Sequence, residues 1–195
     1  MIYVIIPSTK ERRPRLEKCI AALKLNTKYP ISICTYENEE GCTDVGWVKA
    51  VHKMLEGING LVFILGDDAI VAPNCIAKLY EAYMRLPEKE RSEWLLQPNE
   101  QFHKGQLATF PFCHSDVLKK YIYKGYNHLY SDTELTCVMI NKKRYGYVSA
   151  AIVTHEHFLQ DGKLLDETYR NTQKFWTEDK VLFIIRQKNN FEPKN

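Results

Sequence analysis

The chain has 195 residues and a mass of 22.8 kDa, enough for one large core and short for two independent ones. Hydrophobic residues make up 45% and charged residues 26% of it, a balance that excludes an intrinsically disordered chain. The formal charge of +3 is small and its basic residues are scattered among acids, so no nucleic-acid partner is expected, while an anionic ligand stays open.

The run Ile2-Tyr3-Val4-Ile5-Ile6 reads as a buried strand ended by Pro7, with a loop over residues 8–13. Pro14 suits the first turn of a helix whose Leu16, Cys19, Ile20 and Leu23 recur at helical spacing. A second strand covers residues 31–36 and runs into Glu37 and Asn38, and Thr43 or Asp44 can cap a helix with Val48, Val51 and Leu55 on one side, closed by Gly57. A third strand, Leu61-Val62-Phe63-Ile64-Leu65, stops at Gly66-Asp67-Asp68. Strand, helix, strand, helix, strand within about 65 residues is the pattern of a parallel, doubly wound α/β unit. Its three strand ends share one rim, bringing together Ser8 and Thr9, Glu37 and Asn38, Asp67 and Asp68. Ligands of open α/β sheets bind outside this edge.

After Pro73, Ile76, Leu79, Tyr80 and Tyr83 form another amphipathic helix. Strands are expected at residues 94–97 and 107–110, and a helix capped by Ser115 carries Val117, Leu118 and Tyr121. Ser131 or Asp132 starts a helix through Leu135, Val138 and Met139, and a strand over residues 147–153 delivers Thr154-His155-Glu156-His157. Thr177 can cap a last helix bearing Val181, Ile184 and Ile185. No apolar run approaches the roughly 18 residues that span a bilayer, and Met1-Ile2-Tyr3 enters a strand directly, so a cytoplasmic protein without a transmembrane segment is expected. The six cysteines, at 19, 34, 42, 75, 113 and 137, make no C-x-x-C knuckle. They read as reduced, buried side chains rather than a disulfide framework or a thiolate zinc site.

Adjacent Asp67 and Asp68 repel unless something positive lies between or beside them, and a hard divalent ion carrying a diphosphate meets that need. The plain alternative is a Gly-Asp-Asp turn bonded to local backbone. Asp132 at a helix start has its charged form favoured by the dipole, as suits a general base, and an N-cap explains the same residue. His155 and His157 alternate along an extended segment and so face the same way, as metal ligands or as surface histidines.

Taken in order, Val4-Ile5-Ile6-Pro7-Ser8-Thr9, the acid after the second strand, Leu65-Gly66-Asp67-Asp68 with Pro73 behind it, Ser131-Asp132-Thr133-Glu134-Leu135 and His155-Glu156-His157 resemble a metal-dependent, family-2-type glycosyltransferase of the GT-A fold. The resemblance covers roughly residues 2–170 and implies a single domain over 1–195 with a mostly parallel mixed sheet flanked by helices. Within it, 2–86 form the nucleotide-binding half, 94–170 the acceptor and metal half, and 171–195 a C-terminal helix and tail. It assigns Asp67 and Asp68, with His155 or His157, to Mn²⁺ or Mg²⁺ on the nucleotide diphosphate. Pro7, Ser8, Thr9, Glu37 and Asp67 fall to the nucleotide, and Asp132 to the base that deprotonates an acceptor hydroxyl. The implied reaction is an inverting transfer from a nucleotide-sugar donor, UDP-linked first and GDP-linked second, to a glycan, lipid or protein hydroxyl. Three positions depart from the family's pattern. Leu65 replaces the usual first aspartate, Ser131 replaces a glutamate, and residues 41–50 lack an Asn-rich signature.

Tyr126, Tyr130, Phe110 and Phe112 offer a sugar-stacking wall or ordinary core, and Lys163 and Arg170 can meet phosphate or solvent. Glu37 can accept a uracil N–H or stand in solvent. Two rivals stand beside the transferase. One is a sugar-phosphate nucleotidyltransferase, disfavoured because residues 8–13 hold no glycine to cradle a triphosphate. The other is a non-catalytic nucleotide-sugar-binding protein.

Overall fold

The computed structural model describes residues 1–38, 46–156, 170 and 172–192. Among these, seven strands form one sheet: β1 (Ile2–Thr9), β2 (Ile31–Asn38), β3 (Leu61–Ile64), β4 (Ala69–Val71), β5 (Leu95–Asn99), β6 (Phe112–His114) and β7 (Tyr145–His155). Their spatial order is β2-β1-β3-β6-β5-β7-β4. The helices are α1 (Arg13–Asn26), α2 (Trp47–Leu55), α3 (Cys75–Met84), α4 (Ser115–Tyr121), α5 (Ser131–Asn141) and α6 (Trp176–Lys188).

Continuous apolar strands bury both faces, because successive side chains point to opposite sides. Val4, Ile6 and Phe63 join one core with α1 and α3, while Ile5, Val62 and Ile64 join the other with α2, α4 and α5. Each such fully buried side chain contributes about 1.5–3 kcal/mol, so a one-residue slip in β1 or β3 would be prohibitive. The register is therefore firm. β1 pairs in parallel with both β2 and β3, placing Ser8 opposite Glu37 and Ile5 opposite Ile64. The first three strands thus end on one edge, as their sequences indicate. Among the described residues, Cys19, Cys34, Cys75, Cys113 and Cys137 are free thiols, as expected, and Cys42 lies outside those residues.

Three expectations change. The helix expected after Pro73 is preceded by the short strand β4, which pairs antiparallel with β7 and sets Ala69 opposite His155. No strand forms at residues 107–110. There Thr136 Oγ1 accepts from the Ala108 N–H at 2.8 Å and Gln97 Oε1 from the Phe110 N–H at 3.0 Å, so side chains satisfy that backbone; the strand is β6 instead. On α6, Val181, Ile184 and Ile185 face outward, while Asp179 and Arg186 are the buried residues. No described helix is long and apolar enough to cross a membrane.

Candidate functional site

At the carboxyl edge, β3 ends and Gly66 turns the chain. A Cβ there would lie 2.5 Å from Asp68 Oδ1, so the absence of a side chain lets that carboxylate fold back. Asp67 and Asp68 are 2% and 5% exposed. Asp67 Oδ2 accepts from Ser8 Oγ at 2.6 Å, and its Oδ1 lies 2.9 Å from Arg12 Nη1. The same guanidinium donates from Nη2 to Asp68 Oδ2 at 3.2 Å. Arg12 is placed there by a single 3-10 turn, Lys10–Arg12, that joins β1 to α1.

β7 supplies the other side. The Glu156 N–H donates to the Asp68 carbonyl at 2.8 Å, which docks the end of β7 beside the aspartates. His155 Nε2 then lies 3.5 Å from Asp68 Oδ1, and its Nδ1 lies 3.8 Å from Glu100 Oε2. The ring also meets Phe110 edge-on, with centroids 4.9 Å apart. Glu100 is fully buried and accepts from the backbone N–H groups of Phe102 and His103. The imidazole thus lies between two carboxylates, with Nε2 towards Asp68 and Nδ1 towards Glu100.

The charges follow. Burial pushes the Asp67 carboxyl up to about 6, against the opposing pull of Arg12. Burial also works against a charged His155, but Asp68 and Glu100 outweigh it and hold the imidazole at about 9. Glu100 stays below the usual carboxylate range, its burial overcome by His155 and the two N–H donors. The corner therefore gathers the acids Asp67, Asp68 and Glu100 around the Arg12 guanidinium and the His155 imidazole, and Arg15 adds a further positive charge that acts on Asp67.

Asp132 is the second residue of α5, behind Tyr130 in a left-handed conformation with φ of 64°. Its Oδ1 accepts from the Thr133 N–H at 2.7 Å and from Thr133 Oγ1 at 3.3 Å. Among the described residues, Oδ2 has no hydrogen-bond partner. Burial raises this carboxyl, overriding the hydrogen bonds and helix start that favour its charged form. A partly buried carboxylate with one open oxygen and raised basicity is suited to take a proton.

The preceding loop is pinned from α6. Asp179 accepts from the N–H groups of Asn127, His128 and Leu129 at 2.9, 2.9 and 2.8 Å. Behind it, Arg186 Nε and Nη2 donate to Glu134 at 2.8 and 2.6 Å, and Tyr126 Oη donates to the same carboxylate at 2.7 Å. Gly46 touches this loop so closely that a Cβ would fall 1.9 Å from the Asn127 carbonyl oxygen.

Several expected residues sit otherwise. Glu37 is held by Arg13 through two hydrogen bonds of 3.0 and 3.2 Å. Tyr126, Phe110 and Phe112 are core, at 1%, 2% and 0% exposure, and Tyr130 stacks on Phe183, so these rings form no open sugar wall. Pro7 and Thr9 are half-buried near the end of β1. Arg170 is exposed, and His157 and Lys163 lie outside the described residues. Arg12, Glu100 and Asp179 were not picked out by sequence reasoning. The only available signal was a basic residue in the loop after β1, facing the same rim as two acids.

The carboxylates of Asp67 and Asp68 and the imidazole of His155 are donors of the kind Mn²⁺ and Mg²⁺ accept. Leu65, at the position of the missing aspartate, is buried and adds none. Among the described residues no three His, Cys, Asp or Glu side chains stand as a ready metal centre. Arg12 holds the place between the two aspartates.

No family model and no curated protein matches this sequence. Solved structures do. The mannosyltransferase PcManGT from Pyrobaculum calidifontis, in complex with GDP-Man and Mn²⁺, superposes with a TM-score of 0.62 at 13% identity, over 99% of this chain and 65% of that one. TarS of S. aureus gives 0.59 at 11% identity, over 83% of this chain and 38% of that one; its 1–349 portion is also known in complex with UDP. The inositol-1-phosphate CTP transferase from T. maritima gives 0.51 at 9% identity, over 89% of this chain and 95% of that one. At 9–13% identity the likeness is one of fold. This chain has the α/β, mixed-sheet fold of GT-A glycosyltransferases.

Proposed function

We propose that this GT-A chain is a nucleotide-sugar-dependent glycosyltransferase that moves a sugar to an acceptor hydroxyl with inversion. The observation that carries this reading is the convergence of Ser8 and Arg12, Asp67 and Asp68, and His155 with Glu100 at the carboxyl end of the parallel strands. These are four segments far apart in the chain, meeting where α/β sheets take their ligands. The donor is a nucleoside diphosphate sugar, with UDP preferred and GDP second, lying along the ends of β1 to β3 near Pro7, Ser8, Thr9 and Glu37. The acceptor is a glycan, lipid or protein hydroxyl.

Asp132 takes the acceptor proton on Oδ2. The oxygen attacks the anomeric carbon as the bond from that carbon to the diphosphate breaks, and the diphosphate leaves with the electron pair. Asp68 and Asp67, with His155 once its imidazole has given up its extra proton, would hold a divalent ion, which when bound supplies positive charge to the leaving diphosphate. Glu100 keeps the His155 ring in register, and Asp179 holds the loop from which α5 starts. Glu37 reaches a nucleotide base once Arg13 yields it.

The test is an assay of free nucleoside diphosphate released from UDP- and GDP-sugars with Mn²⁺, with and without a panel of sugar acceptors. Release by the native protein and loss in Asp132→Asn with donor affinity retained is expected; binding without turnover for every donor would favour a non-catalytic binding protein. A nucleotidyltransferase reading has one observation in its favour, the near-equal length of the CTP transferase. It makes pyrophosphate from a nucleoside triphosphate and a sugar phosphate, so a parallel assay of pyrophosphate release from those substrates decides between them. Against it, the segment after β1 carries no glycine and folds as a 3-10 turn that presents Arg12 instead of a triphosphate cradle.

A further inference from the structure

The loop between β5 and β6 joins the two halves of the candidate site. It leaves the corner at Glu100, which lies 3.8 Å from His155 and accepts from the N–H groups of Phe102 and His103. It comes back on α5, where Thr136 Oγ1 accepts from the Ala108 N–H at 2.8 Å and donates to the Asp132 carbonyl at 2.6 Å. The chain between these anchors therefore runs from the corner to the helix turn that carries Asp132.

This stretch is held in one unusual shape. Gln101, Lys104 and Gly105 have φ of 69°, 49° and 82°, in the left-handed region that residues with a side chain seldom adopt. The Asn99 side chain accepts from the Gln101 N–H and the His103 carbonyl from the Gln106 N–H, both at 3.0 Å, while Tyr145 Oη donates to the Gly105 carbonyl at 3.0 Å. A Cβ on Gly105 would fall 2.4 Å from the Tyr147 ring, so the loop also packs tightly on β7. Sparse backbone conformations fixed by this many bonds gather at ligand sites. Phe102 rests edge-on against the His103 ring, with centroids 4.6 Å apart, and is still 47% exposed. An isolated exposed ring is ordinary on an open surface. Here it stands on a rigid loop between the corner and the base, beside an imidazole that can bond a hydroxyl. Its neighbours Gln101, Lys104 and Gln106 are polar and exposed, so the loop offers no continuous apolar bed for an acyl chain. One flat apolar face with polar surroundings matches a pyranose, whose ring carries a face of C–H groups edged by hydroxyls.

We propose that Phe102 is the acceptor platform, stacking on the C–H face of a pyranose ring and so selecting a glycan, over a lipid or a peptide, as the molecule whose hydroxyl Asp132 deprotonates. This rests on the proposed function, which puts an acceptor at Asp132. Phe102 touches the acceptor and not the reacting atoms, so it sets acceptor affinity and specificity.

The experiment pairs saturation-transfer NMR of methyl glucoside, methyl galactoside and methyl mannoside with kinetics of nucleoside diphosphate release from UDP- and GDP-sugars with Mn²⁺. A polyprenyl phosphate and a serine–threonine peptide represent the other acceptor classes. Native protein should transfer saturation to the ring C–H protons of at least one glycoside and use that glycoside as acceptor. Phe102→Ala should lose the NMR signal and raise the acceptor KM at least about tenfold, the loss falling on KM as expected for removed ground-state binding, while affinity for the nucleoside diphosphate shows that the variant is folded. Phe102→Trp should restore both readouts; Phe102→Leu, which keeps apolar bulk without the ring, should not. A native-like acceptor KM in Phe102→Ala, a native-like signal in Phe102→Leu, or transfer to the lipid or the peptide with no glycoside bound would overturn the platform and leave the transferase standing. Absence of release from every donor with every acceptor removes both.

Discussion

Among the described residues, Arg186 and Arg12 both meet carboxylates away from solvent, and the two contacts are built differently. Arg186 meets one acid, Glu134, through two hydrogen bonds, with Tyr126 on the same carboxylate and the guanidinium 3.6 Å above the centre of the Tyr123 ring. Its remaining N–H groups reach the carbonyls of Phe191 and Glu192. Arg12 is instead divided between Asp67 and Asp68. The first is a saturated pair that fastens α6 to α5. The second splits one guanidinium between two acids at an edge where α/β sheets take their ligands. The first contact ties two helices together, and the second lies among perturbed ionisable groups at the rim.

The largest expected effect breaks the joint. Arg186→Met strands the Glu134 charge in the core and should lower unfolding free energy by about 3–5 kcal/mol, read by urea denaturation. A loss below about 1 kcal/mol would place it with ordinary surface pairs. On the other side of the comparison, Asp132→Asn should reduce transfer by about 10²–10⁴-fold while the denaturation midpoint stays close to native. Parallel loss of stability and activity would make Asp132 only a helix-start residue.

A pH titration sharpens the contrast further. Burial pulls His128, whose Nδ1 accepts from the Trp47 N–H, down to about 4. Its unfolded value is near 6.5, so the unfolded chain binds more protons between the two. Stability from the neutral ring is present above about 6.5 and is lost as pH falls towards 4. Because the residue keeps partial exposure, the loss should be on the order of 1 kcal/mol, and His128→Gln should flatten it in thermal melts. The smallest effect concerns Glu37. Glu37→Gln should weaken UDP relative to GDP by about fivefold, the scale of one net hydrogen bond of about 1 kcal/mol; equal affinities before and after substitution would remove Glu37 from the base site.

The rim was legible because burial on both faces leaves its mark on β1 and β3. Unbroken apolar runs locate both strands without any knowledge of partners, although β1 continues through Pro7 to Thr9, paired with β2, where the sequence indicates a loop over residues 8–13. His155 was legible for a related reason, as the first polar side chain that β7 carries to the edge after Val153, apart from Thr154. What was hidden depends on contacts between distant segments. Arg12 looks like any loop arginine until β1 and β3 are aligned, and Glu100 has no pattern of its own before Phe102 and His103 fold back on it. The expected strand at residues 107–110 failed because Gln97 and Thr136, remote in sequence, supply acceptors that a neighbouring strand would have provided. On α6, three aliphatic residues suggested a packed stripe, yet the helix is anchored by Asp179 and Arg186, whose buried bonds outweigh that stripe.

The most direct test of the account is a crystal of this chain grown with UDP, or with GDP, and Mn²⁺. Density for the ion against Asp67 or Asp68, with the diphosphate across the ends of β1 and β3, is the expected result. Nucleotide and ion absent from that edge at saturating concentration would contradict it.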